Sequence, residues 1–163
     1  MTGRPLQESS TGDLLALSRR ILTELKRRKV IRTGNAPAGD YAELLVRQAT
    51  GGELAPNAQR SWDVLAPNGK RSERLQVKAR LVTNPGARSE RQLSVFRSWD
   101  FDAAVIVLFD DDFRVWRAAR LRVDAVRSAG RFRPYVRGDV VFATNELLDL
   151  GDDWTEVLRE AAS

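Results

Sequence analysis

The stretch SWDVLAPNGKRSERLQVKAR, residues 61–80, carries the reading of the fold. Pro67-Asn68-Gly69 is a turn signal between two runs of strand-forming residues, so 62–66 and 74–81 are expected to be the strands of a hairpin. Alternation along the second strand puts Leu75, Val77, Ala79 and Leu81 on one face and Gln76, Lys78 and Arg80 on the other. With the turn centred on Asn68-Gly69, Asp63 opposes Arg74, and Gln76 is its diagonal neighbour on the same face. A slip of two residues sets Asp63 opposite Gln76 and keeps the face. Aspartate is disfavoured within a strand. Metal ligation and a hairpin-edge ion pair with Arg74 are the two reasons open for it. An acid on one strand, an amide two residues before a lysine on the next, and an upstream carboxylate, Glu43, can together hold a hard divalent cation against a phosphate.

Outward from the hairpin the chain reads as a small α/β domain. Residues 1–12 are expected to form a disordered tail, and 13–163 a single domain. Asp13 is placed to cap a helix running to about Lys29, with Leu14, Leu17, Ile21, Leu22 and Leu25 as its apolar stripe. Residues 33–39 read as a loop and 40–50 as a second helix closed by Gly51-Gly52. Asp40-Tyr-Ala-Glu43 has capping-box spacing, and Glu43 with Arg47 is an i, i+4 pair; both are structural alternatives to a role for Glu43 at a metal. Residues 82–100 form a polar stretch with a short element around 93–96. The apolar run 103–109 suits a strand buried on both faces. Asp110-Asp111-Asp112 reads as a turn rather than a calcium loop, whose remaining ligands are absent. Residues 113–118 return as a strand, and 121–129 form a short helix ended by Gly130. Residues 131–145 are read as irregular. A closing helix spans 154–161, with Val157 and Leu158 inward. Trp99 and Trp116 are expected as core or sheet-face aromatics.

Composition narrows the chemistry. The 163 residues contain no cysteine and no histidine, which excludes disulfides, thiolate sites and histidine bases. A metal must be held by oxygen, which points to Mg²⁺, Mn²⁺ or Ca²⁺ rather than zinc. No apolar run suits a signal peptide or a membrane span, so a cytoplasmic setting without membrane contact is expected. The formal net charge of +5 is unevenly spread. Residues 19–32 hold seven basic side chains against Glu24, and residues 114–137 hold eight against Asp124. From Asp139 onward only Arg159 is positive among seven acids. This is a footprint for nucleic acid, and equally the composition of an arginine-rich solvated surface.

Glu43 on a helix, Asp63 on the first hairpin strand, and Gln76-x-Lys78 on the second, followed by an apolar strand, resemble the PD-(D/E)XK nuclease superfamily. Trp62 stands where that motif usually has proline, and Gln76 where it has an acid. A Gln-x-Lys variant is familiar in the catalytic domains of methylation-dependent restriction enzymes. The segments GNAPAGDYAELL (34–45), LQVKAR (75–80) and FDAAVIVLF (101–109) further resemble a family of uncharacterised bacterial proteins regarded as nucleases. The resemblance implies a restriction-endonuclease-like core, a central mixed sheet of about four strands flanked by helices. It implies Mg²⁺- or Mn²⁺-dependent endonuclease activity on DNA, in restriction, repair or defence, with a homodimer as one way to cut both strands. Asp63, Gln76, Glu43 and the main-chain carbonyl of Val77 would hold the metal, and Lys78 would act at the attacking water. Arg80, Arg97, Arg117, Lys26 and Arg27 are the candidates for phosphate contact. Two other classes stay open: a nucleic-acid-binding module of this fold that has lost cleavage, and a protein-interaction subunit.

Overall fold

The apolar run Ala103–Phe109 organises the molecule. All seven of its residues are buried. A strand with no polar face needs cover on both sides of its sheet. The computed structural model describes residues 4–32, 37–56 and 61–163. A 3-10 turn at Leu6–Glu8 precedes helices α1 (Thr11–Arg27) and α2 (Pro37–Thr50). Strands β1 (Glu53–Leu54), β2 (Val64–Asn68), β3 (Arg71–Leu81), β4 (Ala103–Phe109) and β5 (Val115–Arg122) follow. Then come α3 (Val123–Ala129), β6 (Arg131–Arg133), β7 (Gly138–Val140), α4 (Asn145–Asp149), β8 (Asp152–Asp153) and α5 (Thr155–Ala162).

The main sheet has the order β1-β2-β3-β4-β5-β8. β3 and β4 are parallel and every other pair is antiparallel, so the sheet is mixed. It has six strands rather than about four. The two additional ones, β1 and β8, are two residues each and too short to leave a periodic signal. One face packs Leu75, Val77, Val105, Val107 and Phe109 under α2 and α5, through Leu45, Val46 and Leu158. The other packs Ala104, Ile106, Leu108 and Leu121 under Leu93, Phe96, Phe101, Val126 and Leu148. A bidentate pair from Arg120 to Glu73, at 2.8 and 2.6 Å, ties β5 to β3 across the width of β4.

The hairpin closes through Gly69-Lys70, because Asn68 pairs with Arg71. Gly69 has φ +62° and Lys70 has no positive φ, the pattern of a turn with glycine first. This moves the register by two residues from a turn centred on Asn68-Gly69. Extending it places Asp63 across from Gln76, not Arg74, and the Asp63 N–H donates to the Leu75 carbonyl at 2.8 Å. Arg74 instead pairs with Asp100 and Asp102 at 2.7 and 3.3 Å. The ion-pair explanation for Asp63 is thereby removed.

Other boundaries differ for local reasons. α1 starts at Thr11, so Asp13 lies inside the helix. α2 starts at Pro37, which suits the first turn of a helix, so Asp40 is not a cap and the capping box does not form. The Asp40 carboxylate instead accepts from the Arg32 N–H at 2.8 Å. Of the loop expected at 33–39, residues 33–36 lie outside the described residues. Phe113 sits in the turn with φ +56°, and β5 starts two residues later. Asp110 holds that turn, accepting from the N–H groups of Asp112 and Arg114, both at 2.9 Å. Residues 131–145, read as irregular, contain the β6–β7 hairpin and α4. In α5 Leu158 is buried, but Val157 is exposed. In the α1 stripe Leu14 and Ile21 are exposed as well.

α2 is docked by Ala42, Leu45 and Val46, and thereby carries Glu43 to the sheet. Leu45→Ala should cost about 2–5 kcal/mol, the range for truncating a buried leucine. Urea denaturation would measure it, and a loss below 0.5 kcal/mol (about the scale of a surface change) would mean that α2 is not held by this contact.

Candidate active site

The site forms where β2 begins one residue too late to pair with the middle of β3. β3 presents Val77 N–H toward the β2 edge, and the ladder partner there is the Asp63 carboxylate. Its Oδ2 accepts from Val77 N–H at 2.7 Å and from Gln76 Nε2 at 2.9 Å. A strand residue's N–H and C=O point to the same edge, so the Val77 carbonyl also faces this edge. Gln76, Lys78 and Arg80 share one face of β3, as period-two alternation requires.

A cleft of about 830 Å³ opens over this edge and is lined by Glu43, Asp63, Gln76, Val77, Lys78 and Arg80, with others. Glu43 reaches it from α2. Among the described residues Glu43 makes no ion pair with Arg47, so that alternative for it is also removed. The Lys78 ammonium donates to Ser94 Oγ at 3.1 Å and to the Val95 carbonyl at 3.0 Å. It also lies 4.6 Å from the Phe96 ring centroid. Two of its three N–H donors are thus used.

The charges in the cleft oppose one another. Burial pushes the Glu43 carboxyl up to about 7, and the negative charges of Asp63 and Asp40 push the same way, while Arg32 offsets part. Burial also raises Asp63, against the Val77 N–H and the charges of Lys78 and Arg32. Burial lowers Lys78 to about 8; Asp63 opposes this and Arg97 assists it. The Asp63 charge thus raises the affinity of Glu43 for a proton, and a place that favours positive charge in this way suits a cation.

Among the described residues no group of three acidic side chains is placed to hold a metal ion, so a cation held in this cleft would rest on two carboxylates, Glu43 and Asp63. Two carboxylates, an amide oxygen and a main-chain carbonyl are oxygen donors of the kind that Mg²⁺ and Mn²⁺ take. The donors present therefore fit a hard cation in kind, with less negative charge than a set with an acid at position 76.

The phosphate candidates divide. Arg80 lines the cleft, with its guanidinium donating to the carbonyls of Glu90 and Ser89 at 3.1 and 3.4 Å. Arg97 is close enough to Lys78 to act on its charge. Arg117 is not at the cleft: it donates to Asn145 Oδ1 at 3.1 Å and pairs with Asp149 on α4. Lys26 and Arg27 lie on α1 and do not line the cleft. Arg27 pairs with Glu24 at 2.7 Å. Trp99 stacks on Phe96, and Trp116 lies under the Arg91 guanidinium, both beside the second core face.

Three contributors were not singled out from sequence. Arg32 donates to the Ala55 carbonyl at 2.9 Å, and Ala55 N–H donates to the Asp63 carbonyl at 2.8 Å, so this arginine braces the acidic pair. In sequence it is one of seven in a basic run. Ser94 and Val95, which receive Lys78, lie in the aperiodic stretch 82–100. No family model and no curated protein matches the chain.

The raised Glu43 sets a pH dependence for the metal-free protein. Its folded pKa, about 7, lies above the ordinary 4.5, so the native state holds the extra proton between those values. Stability should therefore fall as pH rises from about 4.5 to about 7. The loss should be on the order of 1–2 kcal/mol, below full conversion because the cleft is open to solvent. Glu43→Gln should flatten this slope in chemical denaturation at a series of pH values. An unchanged slope would show that Glu43 is not the group titrating.

Proposed function

We propose that this chain is a Mg²⁺- or Mn²⁺-dependent DNA endonuclease with a restriction-endonuclease-like core, acting in restriction, repair or defence. The observation that carries this reading is the sharing of one cleft by Glu43, Asp63, Gln76 and Lys78, which come from α2, from the residue just before β2, and from β3. The fold reading is supported by the order helix, hairpin, then a crossover to the parallel strand β4.

Asp63, Glu43, the Gln76 amide oxygen and the Val77 carbonyl would hold the cation. When bound, it would neutralise phosphate charge and acidify water. The remaining work falls to the side chains. Lys78, fixed by Ser94 and Val95, keeps its position without a carboxylate partner in contact. Near neutral pH it is mostly charged and can stabilise the charge that develops on the phosphorus oxygens. The fraction without a proton, larger than for an exposed lysine, can accept one from the attacking water. Arg80 and Arg97 flank it on the side where a phosphate backbone would run. One site makes one cut, so cleaving both strands takes a second copy or a second encounter.

The other reading, a binding module that has lost cleavage, is favoured by one contact. The Gln76 amide nitrogen sits on Asp63 Oδ2 at 2.9 Å and already satisfies that oxygen without a metal.

Nicking of supercoiled plasmid in Mg²⁺ or Mn²⁺ decides between them. Asp63→Asn keeps an acceptor for Val77 N–H and removes the charge. It should lower nicking by roughly 10²–10³-fold, the scale of losing one preorganised electrostatic contact. Equal nicking by both proteins would remove Asp63 from the site. No nicking by the wild type, with salt-dependent DNA binding retained, would select the binding module.

Gln76→Glu sets a second carboxylate against Asp63. Mn²⁺ affinity, measured by calorimetry, should rise roughly tenfold or more, because the cation relieves a repulsion that the amide does not create. Unchanged affinity would place position 76 away from the metal.

A further inference from the structure

Strand parity sorts the charges around the β6–β7 hairpin. Arg131 pairs with Val140 and Arg133 with Gly138, so these four share one face of the ribbon. Phe132 and Asp139 take the opposite face. There the Asp139 carboxylate accepts from the Trp99 indole N–H at 3.1 Å, so the one acid of the hairpin is turned away from its arginines. Arg131, Arg133 and Val140 border a second concavity, of about 220 Å³, together with Phe142 and with Arg88 from the 3-10 turn Arg88–Arg91. No acidic side chain lines it. The three arginines are exposed, and among the described residues none of them pairs with a carboxylate. The Arg88 guanidinium rests 4.3 Å from the Phe142 ring centroid, and Arg131 donates to the Gly130 carbonyl at 3.3 Å. Three like charges around one small hollow repel one another, and an anion seated among them relieves that repulsion.

The arginine face continues to the cleft. Phe96 and Asp139 exchange backbone hydrogen bonds at 3.0 and 2.9 Å, and this antiparallel bridge sets Arg97 across from Gly138, on the edge of β7 opposite to Arg133. A Cβ at Gly138 would fall 3.4 Å from Arg97 Cγ and 3.2 Å from Val95 Cβ, so both residues lie on the arginine side of the ribbon. Arg133, Gly138 and Arg97 thus form a row across three strands, neighbours in it being about 4.8 Å apart. Arg97 is also the residue whose charge acts on Lys78. The turn bearing Arg88 makes a second connection. Ser89, the next residue, lines the cleft, and its carbonyl accepts from the Arg80 guanidinium at 3.4 Å.

We propose that Arg88, Arg131 and Arg133 form a site for one backbone phosphate of the DNA whose scissile phosphate lies at Lys78, with Arg97 between the two. Planar guanidinium forks grip phosphate oxygens in pairs. A hollow smaller than the about 300–1,000 Å³ of sites for drug-sized ligands suits a single charged group. A strand carries a charge about every 3.4 Å of helix axis, so a strand entering the cleft brings further phosphates over this face. Such a contact reads no sequence; it fixes the register of the strand against Lys78. This deepens the nuclease reading and rests on it for one point, the identity of the molecule that carries the phosphate.

The test is binding in EDTA, which requires no cleavage. Fluorescence anisotropy would follow a labelled DNA duplex over a series of salt concentrations. Arg131→Ala/Arg133→Ala should weaken the duplex roughly tenfold and lower the salt slope by about 0.9, the share of one phosphate. Arg88→Lys/Arg131→Lys/Arg133→Lys keeps every charge and loses every fork, so it should weaken the duplex while leaving the slope unchanged. The lysine variant carries the test alone if the alanine variant loses its thermal transition. No duplex binding by the wild type overturns the proposal. A lysine variant that binds like the wild type also overturns it, because a diffuse field then accounts for the arginines. Calorimetry with inorganic phosphate separates the sources. Uptake that the alanine variant loses, with its duplex binding unchanged, overturns the proposal and assigns the hollow to a small phosphorylated molecule. Displacement of the duplex by polyglutamate at equal charge concentration overturns it in favour of an acidic protein partner. Duplex binding that needs the arginines, without nicking in Mg²⁺, keeps the site and loses the nuclease reading. Nicking that needs Asp63, with duplex binding indifferent to all three arginines, does the reverse.

Discussion

Every layer of this fold answers to one constraint, a central strand with no face that water can wet. β4 is buried along its whole length. Its backbone can be satisfied only by strands on both edges, and its side chains only by layers on both faces. On one face α2 and α5 lie across it. On the other, among the described residues, no long helix lies. Cover comes instead from the segment around Leu93–Phe101, held by single bridges, and from the short helices α3 and α4. The parallel register of β3 against β4 follows from the excursion that builds this second layer.

The cleft is the place where that cover stops. β3 has an apolar face that completes the α2 layer and a polar face that the second layer meets through the charged side chains of Arg74, Lys78 and Arg80. Asp63 lies just before the start of β2, and its carboxylate replaces a ladder partner for Val77. Charged groups are therefore held half out of water by the demands of the core. Their pKa shifts follow from the same arrangement: desolvation is the largest cause for Glu43, Asp63 and Lys78 alike. A strongly perturbed set in a cleft fits a functional site, since the core itself gains little from such groups.

How much of this was legible depended on the range of the forces involved. The shared face of Gln76, Lys78 and Arg80 was legible, because side chains alternate in any strand. The hairpin was legible, but its register was not. Asn68-Gly69 resembles the commonest two-residue turn, and the chain closes on Gly69-Lys70 instead. A turn is chosen by how the flanking strands pack, and Val64 and Ala66 must face the α2 layer. Val157 and Phe113 failed for a related reason, since apolar character alone does not say which residue the core has room for. β1, β6, β7 and β8 are two or three residues long, below what periodicity can reveal.

The sequence by itself determined the kind of chemistry available. Without histidine or cysteine, only oxygen ligands and lysine or arginine cations can work here. It also determined the strand face on which Gln76 and Lys78 lie, because that depends on parity and not on register. Tertiary structure alone decided that Glu43 joins Asp63, that Arg32 braces them, that Arg117 is spent on α4, and that Ser94 and Val95 hold Lys78. Those pairings cross 16 to 32 residues of chain where the intervals are measured. No local preference extends so far; only the packing of both layers against one buried strand brings such residues together.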